Sequence, residues 1–258
     1  MQASPQMSSD ISVTEQSGTQ RVVQRVPAGA TLAVAFGGVA TVLAAFTLQS
    51  ELALGNAVVW RAAAGVLGGG GLLLALTAQR LRTPAFGVAN GITLVRGALT
   101  LLLASLIGVH ANDAIGWTVV IVAVIAVALD GVDGWFARRR NEASVFGARF
   151  DMETDALLIL VLAALVWQFN KAGVWILAAG LLRYAFVLVS FPLPWMERAL
   201  PPSRRRQAVC VLQIVALIGA LLPGVPPAWS SAIALASLVL LVWSFAVDSV
   251  WLARRAHT

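Results

Sequence analysis

Long apolar runs alternate with short polar connections over nearly the whole chain. A helix needs about 20 predominantly apolar residues to cross the hydrocarbon core of a bilayer. Runs of that kind predict eight spans, at about 30–48, 57–78, 92–109, 115–137, 147–168, 172–190, 207–222 and 229–251. Residues 1–29 are polar, rich in Ser, Gln and Thr, and are expected to be a disordered tail. Arg21 and Arg25 precede the first run as they would in a signal peptide, but the long polar lead and the length of the run favour an uncleaved span. Four consecutive glycines at 68–71 could cradle a phosphate in a soluble loop. Inside an apolar run they point instead to close helix packing.

Composition agrees with the pattern. A chain that is 59% hydrophobic, 12% charged and has a mean hydropathy of +0.84 is too apolar to present a polar face to water, which excludes a soluble domain. The net charge of +6 would suggest nucleic acid in a soluble protein. Here the arginines sit in short connections beside apolar runs, so they read as topology signals and lipid-headgroup contacts, with no nucleic-acid partner. Arg80, Arg82, the arginines at 138–140, Arg198, those at 204–206, Arg254 and Arg255 fall at alternate connections. The opposite connections hold little beyond Arg61 and Lys171. By the positive-inside rule both termini and the 138–150 loop face the cytoplasm. Lys171 is the sole lysine, a bias that suggests a GC-rich bacterial genome and hence a bacterial inner membrane. The single Cys210 excludes a disulfide within the chain and a thiolate metal site. Trp117, Trp167, Trp195 and Trp229 fall near span ends, as an interfacial belt requires.

Carboxylates inside apolar spans are expensive, and four occur in one hairpin: Asp130, Asp133, Asp151 and Asp155. On a helix Asp130, Asp133 and Ala137 share one face, and Gly147, Asp151 and Asp155 share another. Two antiparallel helices can turn those faces toward each other and form an anionic pocket near the membrane surface. Four such carboxylates cannot all stay ionised without cations. Oxygen ligands alone suit Mg²⁺, Mn²⁺ or Ca²⁺ better than zinc. A divalent pair on aspartates serves displacement at phosphorus, so phosphoryl-group chemistry leads. A proton or cation pathway in a carrier is the alternative from another class. Arg96 and Arg183, also in apolar runs, could pair with an Asp or with a phosphate, and Arg149 with a substrate phosphate. The arginines at 204–206 fit a lipid contact or an acceptor pocket, and Asp248 has no assigned chemistry.

The spacing Asp130-x2-Asp133-Gly134-x2-Ala137-Arg138-x8-Gly147-x3-Asp151-x3-Asp155 resembles, without a missing position, the signature of the CDP-alcohol phosphotransferases. The stretch from Asn90 to Thr93 is similar to the segment leading into that family's first core helix. The resemblance implies an all-α polytopic membrane bundle: a six-helix catalytic core at 81–258, with two accessory helices at 30–80 lying outside it. It implies two Mg²⁺ or Mn²⁺ ions on Asp130, Asp133 and Asp151, with Asp155 as a further ligand and as the base for the acceptor hydroxyl. Asn90, Thr93, Gly134, Ala137, Arg138, Ser144 and Gly147 would lie against the CDP moiety. The implied reaction transfers a phosphatidyl group from CDP-diacylglycerol to an alcohol and releases CMP, in a homodimer. Transfer from a soluble CDP-alcohol to diacylglycerol is the alternative within the family. The residues at 151–156 match neither the glycerophosphate-using nor the inositol-phosphate-using pattern, so the acceptor stays open.

Overall fold

The computed structural model describes residues 28–80, 88–140, 145–197, 200, 201 and 203–256, with the backbone alone for 28, 78–80, 89, 132–140, 145, 194, 197 and 256. The tail at 1–27, where disorder is expected, lies outside them. The described residues form eight α-helices and no strand: α1 (Ala28–Glu51), α2 (Ala57–Arg80), α3 (Val88–Ser105), α4 (Asp113–Arg140), α5 (Val145–Gln168), α6 (Leu177–Ser190), α7 (Arg204–Leu221) and α8 (Pro227–Ala256). Short 3-10 turns at Val174–Ile176 and Pro194–Glu197 precede α6 and follow it. The protein is thus a membrane-embedded helix bundle.

Among the described residues, four segments are long and apolar enough to cross a membrane by themselves: Gly29–Glu51, Ala57–Thr77, Asp113–Gly131 and Pro227–Arg255. The other predicted spans are present as helices of a different kind. Those at Asn90–Ser105 and Val174–Ser190 are shorter, and the first turns of α5 carry Arg149, Asp151, Glu153 and Asp155. The ends also differ from the sequence pattern. Helix α3 is described from Val88 to Ser105, where turns at 106–109 and Gly108 at φ +86° stop it, so Asn90 and Thr93 stand within α3. At its far end α4 continues through Arg140, which puts the arginines at 138–140 in its last turn and shortens the expected loop.

The core lies where α3, α4, α5 and α7 meet, around Leu103, Val119, Leu158, Leu162 and Leu217. Gly180 of α6 lies so close to α5 that a Cβ there would come within 2.4 Å of the Leu160 backbone. Helices α1 and α2 pair with each other and lean on α3. Gly70 of the four-glycine tract meets Val34, and Gly38 meets Val66, which bears out close packing at those two positions. Gly68 and Gly71 have nothing within 4 Å. Phe36, Trp60 and Leu67 are at least 74% exposed, the expected state of side chains whose solvent is lipid.

Three side chains tie together the arginine-poor end. The Arg61 guanidinium donates to the carbonyls of Ser105, the last residue of α3, and of Ile107 just after it, the Gln168 amide donates to the Val109 carbonyl, and the Lys171 ammonium donates to the Leu222 and Val225 carbonyls beyond α7. Cations there meet the negative ends of helices. The two basic residues that run against the positive-inside asymmetry are therefore used as helix caps. Exposed Trp60, Trp117, Trp167 and Trp229 belong to the helix ends gathered there. Lys171→Met is expected to destabilise the bundle by about 1–2 kcal/mol, because hydrogen bonds to charged groups contribute on that order. Thermal melts in detergent should show a midpoint lowered by a few degrees, with activity at low temperature retained.

Candidate active site

The site stands at the opposite end of the bundle. On α3 the polar residues Asn90, Thr93, Arg96 and Thr100 recur at helical spacing, and all four are buried. This stripe faces α4 and α5. Arg96, 1% exposed, forms ion pairs with Asp130 of α4 at 2.8 Å and with Asp151 and Asp155 of α5. The carboxylates themselves are 32%, 40% and 20% exposed, so the cluster opens outward on their side. One oxygen from each lies within 4.8 Å of the others.

The helices explain this convergence. Asp151 and Asp155 are one turn apart on α5, and Gly147 lies one turn before them on the same face. The Thr100 hydroxyl donates to the Arg96 carbonyl, taking up a hydroxyl that would otherwise compete in the stripe. From α7 the Cys210 thiol lies 3.8 Å from the second oxygen of Asp155, so a fourth helix borders the cluster. One turn further along α7, Gln213 is fully buried with both amide atoms unpartnered.

Of the residues singled out from the sequence, the structure brings Asp130, Asp151 and Asp155 together and places Asn90 and Thr93 on the adjoining stripe. The side chains of Asp133, Gly134, Ala137 and Arg138 lie outside the described set, although the α4 backbone keeps Asp130, Asp133 and Ala137 on one helical face. Ser144 lies outside the described residues. Arg96, which the sequence left open between an aspartate and a phosphate, takes the aspartates. Arg183 pairs with Glu153 and not with the cluster. Arg149 is exposed, on the side of α5 away from Asp151. Asp248, without a role in sequence, receives Arg205, which also donates to Ser244 and lies 5.5 Å over the Trp243 ring. Arg205 thus acts as a clamp between α7 and α8. Sequence reasoning did not identify Cys210 and Gln213 as neighbours of the site, and the polar Gln213 inside an apolar run was the available signal.

The donor set is all carboxylate oxygen, from two rigid helices, at spacings a hard divalent ion can bridge. Among the described residues, Arg96 sets one positive charge against three carboxylates, a group that could hold a metal ion. A membrane helix bundle with such a carboxylate cluster at one end, held by a buried arginine, is the arrangement that phosphate chemistry assisted by a divalent ion requires. The family model for CDP-alcohol phosphatidyltransferase matches residues 86–243, more than half of the chain, from just before α3 into α8. The chain belongs to that family, a class of membrane phosphotransferases that use CDP-alcohols and an alcohol acceptor. No curated protein and no solved structure matches it.

Proposed function

We propose that the protein transfers a phosphatidyl group from CDP-diacylglycerol to an alcohol and releases CMP. The observation that carries this reading is the convergence of Asp130, Asp151 and Asp155 on Arg96 inside a region matched by the family. Asp130 and Asp151, with Asp133 one turn along α4, would hold divalent cations, Mg²⁺ or Mn²⁺, with Asp155 as a further ligand. Bound there, the ions would neutralise phosphate oxygens and the leaving CMP. Asp155 takes the proton from the acceptor hydroxyl. The oxygen so activated forms a bond to the donor's β-phosphorus while the bond from that phosphorus to the CMP oxygen breaks. Asn90, Thr93, Gly134, Ala137, Arg138, Ser144 and Gly147 would border the cytidine diphosphate. Residues 81–258 form the catalytic unit in this reading, and 30–80 an accessory pair.

The arginine distribution supports a cytoplasmic site in a bacterial inner membrane, within reach of soluble acceptors and of lipid donors in the inner leaflet. A homodimer is proposed with it. Chelation tests the metal component: EDTA should abolish activity, and Mg²⁺ or Mn²⁺ should restore it. Undiminished CMP release by protein freed of divalent ions would remove the metal from the account.

A further inference from the structure

On the other side of α3 and α5 from the carboxylates lies a large apolar groove of about 920 Å³, lined by α1, α2, α3, α5 and α6. Ligand pockets commonly fall at about 300–1,000 Å³. Its lining on α5 runs from Phe146 to Leu157 and on α2 from Val66 to Leu76. At ~1.5 Å per residue these stretches span roughly 15 Å, half of the ~30 Å hydrocarbon thickness. The groove therefore has the depth of one leaflet. Glycines form part of its wall: Gly37, Gly69 and Gly97 present no side chain, and a Cβ on Gly97 would meet nothing within 4 Å.

Charge marks one end only. Arg149, two turns or less from the start of α5, lines the groove and is exposed, and among the described residues no ion pair engages it. The neighbouring Glu153 is neutralised by Arg183. Beyond these residues the lining is apolar apart from Thr41, Thr154 and Tyr184, and the hydroxyls of Thr41 and Thr154 are spent on their own helices. An uncompensated cation at the surface above one leaflet's depth of apolar wall is complementary to a phosphate on acyl chains.

We propose that this groove holds one anionic diacyl phospholipid as a resident lipid, its phosphate at Arg149 and its acyl chains along the glycine-lined wall. Contact between α3 and α5 through Arg96, Asp151 and Asp155 separates it from the carboxylates, so the lipid in the groove is not the one that reacts. The accessory helices thereby gain a role, since α1 and α2 supply one wall. This inference does not depend on which donor or acceptor the carboxylates serve.

Native mass spectrometry of the full-length, delipidated protein titrated with phosphatidylglycerol or phosphatidylcholine tests it. Wild type should take up one tightly held phosphatidylglycerol. Gly97→Leu, which projects a side chain into open groove space, should lose that adduct while keeping its thermal midpoint and its Mn²⁺ binding. Arg149→Gln, an exposed change with no structural burden, should weaken phosphatidylglycerol about fivefold and leave phosphatidylcholine nearly unchanged. Equal lipid uptake by wild type and both variants would overturn the proposal. So would stoichiometric displacement of the adduct by CDP-diacylglycerol, which would make the groove the donor's own, or a lipid-free dimer in which a second copy covers it.

Discussion

Asp155→Asn is expected to bind the CDP-linked donor nearly as wild type does while turnover falls by about 10²–10⁴-fold, the usual loss on removing a positioned general base. Asn keeps the shape of the side chain and one oxygen able to touch a cation, but it cannot accept the acceptor's proton. Asp155 is the least exposed of the three clustered carboxylates and stands deepest along α5, with Arg96 on one oxygen and the Cys210 thiol near the other. Asp130→Ala should behave differently, losing metal-dependent donor binding as well as turnover. Equilibrium donor binding measured beside initial CMP-release rates separates the two roles. Near-normal turnover by Asp155→Asn would assign the proton transfer elsewhere.

Arg96→Met is expected to have a comparably large effect through a different route. The guanidinium is buried and joins α3 to both α4 and α5 through three carboxylates. Removing one partner of a buried ion pair typically costs ~3–5 kcal/mol, because the remaining charge stays uncompensated. Partial exposure of the aspartates to solvent lowers that figure here. The loss should be largest in EDTA and should shrink when Mg²⁺ is added, since a divalent cation supplies charge to the same oxygens. Activity should fall by about 10²-fold, the scale of misplacing reacting groups by an ångström. Arg96→Lys should recover stability better than activity, because an ammonium provides charge without the planar fork that meets several carboxylates at once. Melting curves of the three proteins with and without Mg²⁺ test this. Equal destabilisation in EDTA and in Mg²⁺ would mean that Arg96 serves packing alone.

The hydrophobic runs made the helices legible because a bilayer demands length and apolarity together, and the fixed spacing from Asp130 to Asp155 made the carboxylate cluster legible because helical periodicity places those residues on two faces. What periodicity could not supply was the partner across the gap. Arg96 lies 34 residues before Asp130 in sequence, and only the packing of α3 against α4 and α5 decides that it meets aspartates and not phosphate. The same limit applied to Arg149 and Arg183, which share the arginine chemistry of Arg96 but stand on other faces. Helix ends were also misplaced: apolar character continues past Ser105, whereas Gly108 and the caps from Arg61 stop the helix there. Asp248 became intelligible only once α7 and α8 were seen side by side, with Arg205 between them.

The central claim is tested most directly by CMP release from purified protein in detergent with Mg²⁺, given labelled CDP-diacylglycerol and a panel of serine, glycerol 3-phosphate, inositol, inositol phosphate and lipid-glycerol acceptors. The account predicts CMP only when the donor and a suitable acceptor are both present, matched mole for mole by a new phospholipid on thin-layer separation. Saturable ion or solute transport in proteoliposomes, with no donor cleaved by any acceptor in the panel, would contradict it.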